Sequence, residues 1–76
     1  MIGQQALQET IARIRSQAEA DPTPGGYQTA SALLAGAGMF FLILNQHESE
    51  AAIQVTDKLL DPLIDHYDKL AKGNRS

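Results

Sequence analysis

The sequence predicts a small all-α domain: a helical hairpin plus a kinked third helix, packed as a homodimer. Three observations carry this reading. Apolar residues recur at helical spacing in residues 4–20 and 47–72. No segment of useful length alternates with period two. Between them lies a long segment with no Asp, Glu, Lys or Arg, from Pro22 to His47.

The first helix is expected over residues 4–20. Leu7, Ile11, Ile14 and Ala18 follow one another at spacings of four, three and four. On a 3.6-residue helix they share a stripe about 60° wide, as narrow as a coiled-coil seam. Glu9 and Arg13 stand at i,i+4 in the favourable order.

A loop is expected over residues 21–26, because "DPTPGG" concentrates two prolines and two glycines. Asp21-Pro22 and Thr23-Pro24 each read as a helix cap followed by proline at the first helical position. Gly25 and Gly26 weaken a start there, so the second helix is placed over 27–44. The glycine pair is not a phosphate loop: no strand precedes it and no Lys follows.

The third helix is expected over 47–72. Asn45 and Glu48 read as a capping-box start, and Ala52, Ile53, Leu59, Leu60, Leu63, Tyr67 and Leu70 recur at helical spacing. Pro62 removes a backbone donor and clashes with the preceding turn, so a kink or a split near Asp61 is expected, with Asp61 as the cap. Lys69, Lys72 and Gly73 form a conventional helix end, leaving residues 73–76 as a tail.

The apolar centre of the second helix, Ala30 to Leu44, spans about 22 Å at 1.5 Å per residue, short of a bilayer core of about 30 Å. Its nearest charged neighbours are Glu19 and Asp21 before it and Glu48 and Glu50 after it. No Lys or Arg stands there to set an orientation. These features argue against a membrane span. Two neighbouring helices cover two faces of a third and leave the rest open, and a large open apolar patch marks an interface. The expected interaction residues are Leu33, Met39, Phe40, Phe41 and Ile43. The small residues Ala32, Ala35 and Gly36 are expected to allow close helix approach, and close packing is the expected offset for glycine at positions 36 and 38, each of which costs about 1 kcal/mol relative to Ala inside a helix.

Chemistry is scarce. There is no Cys, which removes thiol nucleophiles and thiolate-bound zinc and fits a reducing compartment. The N-terminus "MIGQQALQET" has no positive charge and no apolar run, so no signal peptide is read there, and the expected location is cytoplasmic. Six scattered Lys and Arg against nine Asp and Glu give a net charge of −3, which argues against nucleic acid as a partner. His47 and His66 lack the spacing of helical metal ligands, and no metal or cofactor is expected. Asp57, Asp61, Asp65 and Asp68 form an acidic ridge at spacings of four, four and three, readable as a docking surface for a basic partner. No catalytic constellation is present, so an enzyme is not expected. The expected role is a protein–protein interaction module, an adaptor, chaperone-like or inhibitory protein, binding itself and another protein. The alternatives are a membrane-associated protein using helix 29–46 and a small-ligand binder with a pocket near Tyr27, Tyr67 or His66 at a dimer seam.

Overall fold

Residues 1–73 are described by a computed structural model. The described residues form four α-helices and no strand. Helix α1 runs Gln4–Ala20 and buries the expected stripe of Leu7, Ile11, Ile14 and Ala18. Gly3 precedes it with φ +77°, a left-handed conformation that favours glycine.

Helix α2 runs Pro24–Leu44, three residues earlier than expected. Thr23 is the cap: its hydroxyl oxygen accepts from the Gly26 amide at 3.0 Å and donates to Asp21 Oδ1 at 2.9 Å. With Pro24 already holding a helical φ, this cap outweighs the poor propensity of the two glycines. The turn is therefore only Asp21–Thr23. Gly26 is required by close approach, because a Cβ there would lie 2.1 Å from the Asp21 carbonyl oxygen.

A turn of 3₁₀ helix, Gln46–Glu48, leads to α3, Ser49–Leu59. Asn45 does not cap this turn, contrary to expectation. It is buried, and its side chain closes the other end of the hairpin. Asn45 Nδ2 donates to the Phe41 carbonyl at 2.9 Å and to the Ile2 carbonyl at 2.8 Å, while Oδ1 accepts from the Ile2 amide at 2.7 Å. A buried amide needs such partners, and here they tie the segment before α1 to the end of α2.

The third segment divides, as Pro62 requires. Helix α4, Asp61–Ala71, follows α3 after the single residue Leu60. Asp61 is the first residue of α4 and Leu60 holds the cap position, with no side-chain cap bond. At the far end Gly73 adopts φ +72° and donates to the Leu70 carbonyl, as a residue just past a helix does. Asn74, Arg75 and Ser76, the rest of the expected tail, lie outside the described residues.

Helix α2 is the hub. Ala30, Leu34, Gly38, Phe41 and Asn45 form its buried stripe, and α1 and α4 pack along it. Gly38 and Leu60 make the closest junction: a Cβ on Gly38 would meet Leu60 Cδ1 at 2.9 Å. The α3–α4 break thus delivers the fully buried Leu60 onto a glycine of α2. At the start of α2, Tyr27 stacks on Tyr67 of α4, with ring centroids 6.1 Å apart. Ile53, expected within the apolar stripe of the third segment, is exposed instead.

Three substitutions separate these roles by chemical denaturation. Gly38→Leu overpacks the Leu60 junction and is expected to cost about 1–3 kcal/mol. Asn45→Ala strands the Ile2 amide and carbonyl, while the Phe41 carbonyl keeps the backbone amide of position 45, and is expected to cost a similar amount, about 1–3 kcal/mol. Gly36→Ala meets nothing within 4 Å and is expected to gain up to about 1 kcal/mol from helix propensity.

Candidate functional site

From Ala32 to Leu44 helix α2 is apolar on every side, but among the described residues its own chain covers one side only. The face opposite Leu34 and Phe41 carries Ala32, Leu33, Gly36, Met39, Phe40 and Ile43, with Ala35 beside it. Met39 is 66 % exposed, Phe40 63 %, Ile43 62 % and Leu33 45 %. Leu44 extends the strip at its C-terminal end. The whole of α2, 21 residues, contains no ionisable side chain apart from the Tyr27 phenol.

Four of the five expected interaction residues lie on this open face. Phe41 does not: it is 2 % exposed and belongs to the core. Its spacing explains the difference, since it stands seven residues from Leu34 and so returns to the same face two turns later. The small residues also divide in an unexpected way. Ala32, Ala35 and Gly36 are exposed, and Gly36 has no neighbour near its missing Cβ. No helix of the same chain approaches them closely. The close approach within the chain occurs at Gly38 instead, on the opposite side of α2.

An open groove of about 520 Å³ runs between α1 and α2 and takes in Ala32, Leu33, Gly36 and Phe40 of this face. Ala6, Thr10 and Arg13 line it from α1, and Leu33, Phe40 and Leu44 from α2. Arg13 has no carboxylate within 4.0 Å among the described residues, so the expected Glu9–Arg13 ion pair does not form. A second cleft, about 300 Å³, is bounded by Arg15, Glu19, Tyr27, His66 and Tyr67. These residues meet within a single chain, whereas the sequence predicts such a pocket at a seam between two chains.

The acidic ridge is largely occupied with its own neighbours. Asp65 pairs with Lys69 at 3.1 Å and Asp68 with Lys72 at 3.2 Å, both on the exposed surface of α4. Such surface pairs contribute little to stability. Asp57 and Asp61 face each other across the α3–α4 break. A hydrogen bond between the two carboxyls raises the Asp61 pKa, with smaller contributions from desolvation and from the Asp57 charge. Among the described residues no three His, Asp or Glu side chains converge as metal ligands would.

The Asp57–Asp61 contact has a pH signature. A carboxyl whose pKa is raised by folding favours the folded state below its unfolded pKa, and that contribution is lost as pH rises through the folded pKa. Asp57→Asn removes the partner. It is expected to melt above the wild type at neutral pH, with the gap closing as pH falls towards 3.8, the ordinary Asp61 value. Thermal melts of both proteins across this range, at fixed ionic strength, measure the difference.

The chain matches no protein-family model, no curated protein and no solved structure, which leaves the chemistry of its own surfaces as the guide to function.

Proposed function

We propose that this protein is a small acidic interaction module that pairs with a second copy of itself through the open face of α2. The observation that supports this reading is the exposed, uncharged strip of Leu33, Met39, Phe40 and Ile43 around Ala32 and Gly36. From their fractional exposures these residues leave roughly 600 Å² of apolar surface per chain, at the upper end of what a lone monomer carries. Two such faces together bury about 1,200 Å², the lower bound for a specific interface.

The lack of charge makes the face compatible with itself. A two-fold pair brings identical patches together, so a charged patch would meet its own sign. Here no ionised side chain stands on the face. The mixture of sizes favours pairing as well. Ala32 and Gly36 accept the larger Met39 and Phe40 of the opposite helix, as small residues do where helices cross closely. Met and Phe are enriched at such contacts. A different protein partner, if engaged, uses surfaces outside this pair.

A second reading rests on the length of α2. At 21 residues it is about 31 Å long, enough to cross a bilayer core. The six residues before Ala30 lengthen the helix, while its apolar run, Ala30–Leu44, keeps its length of about 22 Å. In this reading α1 and α4 leave the inner face of α2 and lipid replaces them.

Light scattering on the size-excluded protein, without detergent and over a concentration series, tests the proposal. A dimer mass that falls towards the monomer on dilution is expected. Met39→Lys and Gly36→Leu are each expected to give monomer at concentrations where the wild type is paired. A wild-type monomer throughout contradicts the proposal, and protein recovered only with detergent favours the membrane reading.

A further inference from the structure

The groove between α1 and α2 has the dimensions and polarity of a site for one aliphatic chain with an anionic end. The residues lining it run from Gly3 to Ile14 on α1 and from Ala32 to Leu44 on α2. At 1.5 Å per residue this is about 16–18 Å, the length of an extended myristoyl chain. Its volume, about 520 Å³, lies within the range of ordinary small-ligand sites, about 300–1,000 Å³.

The lining is apolar except at one end. Among the described residues Arg13 is the one charged side chain on the groove, and Thr10 stands one turn before it. The opposite end is lined by Gly3 and Leu44 and carries no charge. Arg13 makes no ion pair among the described residues, although Glu9 stands one turn away on the same helix. A planar guanidinium with unused donors, at the end of an apolar channel, is complementary to a carboxylate carried on an alkyl chain. We infer that this groove binds a free fatty acid of about myristoyl length, its chain along Leu33, Phe40 and Leu44 and its carboxylate at Arg13. The site lies within one chain but shares Ala32, Leu33, Gly36 and Phe40 with the pairing face, so a bound chain and a second copy compete for that surface.

Calorimetric titration of the intact protein with myristate, below the concentration at which the fatty acid aggregates, tests the assignment. Saturation at one equivalent per chain is expected. Tetradecanol, with the same chain and no charge, is expected to bind at least about tenfold more weakly, and Arg13→Gln to weaken myristate by a similar factor while leaving tetradecanol unchanged. Ala6→Phe fills the groove from α1 and is expected to abolish binding. Ala6 is exposed on α1, so this variant is expected to fold, and its far-UV circular dichroism is expected to match the wild type. Equal affinity for acid and alcohol, undiminished binding to Ala6→Phe, or association only with phosphatidylcholine–phosphatidylglycerol vesicles would each overturn the assignment. Loss of pairing in Met39→Lys with myristate binding retained separates the two proposals.

Discussion

The structure is organised by a mismatch in α2 between what is apolar and what is covered. An amphipathic helix needs one partner face. A helix apolar on every side needs cover all round. This chain has two further long stretches of helical pattern, and both are needed on the side of Leu34 and Phe41 to build any core. Among the described residues the side of Met39 and Ile43 is left exposed. In a chain of this length the fraction of surface that folding removes from water is small, so the uncovered side is a sizeable share of the apolar total. The hydrophobic effect acts on that share in the same way as on the core.

The rest of the fold fixes how α2 is held, and it does so with short-range chemistry at three points. Thr23 and Gly26 make the first corner tight enough for α1 to lie directly against α2. Asn45 closes the open end of that hairpin by satisfying backbone groups of Ile2 and Phe41. Leu60, set between α3 and α4 by the proline at position 62, fills the gap left by Gly38. Each of these contacts is on the covered side of α2 or at its ends. None of them reaches the outer face, which is therefore held in a defined shape without being occupied. A rigid, exposed apolar face loses less entropy on association than a flexible one.

Much of this was legible in the residues. The stripe of α1 follows from period alone, and the break near Asp61 follows from what proline does to a helix. The exposed face of α2 was legible in kind, through its excess of apolar side chains. Which residues stand on it was not, because a helix apolar on all sides has no polar face to mark its orientation. Phe41 and Phe40 are adjacent and chemically identical; only the register set by Leu34 and Gly38 sends one inwards and one outwards. Gly36 and Gly38 both read as positions of close packing, and only the register shows that Gly38 meets the core while Gly36 is open. Asn45 was misread because its capping pattern with Glu48 is local, whereas its actual partner, Ile2, is 43 residues away in sequence. The α1–α2 groove has no sequence signature, since it joins residues of two helices that only packing brings together.

The most direct test of the central idea, that a second copy covers the outer face of α2, is the oxidation rate of Met39. The chain has two methionines, Met39 on that face and Met1 near the N-terminus, and both are exposed in the single chain. Dilute peroxide converts an exposed methionine to its sulfoxide, and burial slows the reaction. Mass spectrometry resolves the two sites, with Met1 as the internal reference. Met39 is expected to be protected relative to Met1 at high protein concentration and to lose that protection on dilution. A Met39-to-Met1 ratio that stays constant and high across the whole range would contradict the account.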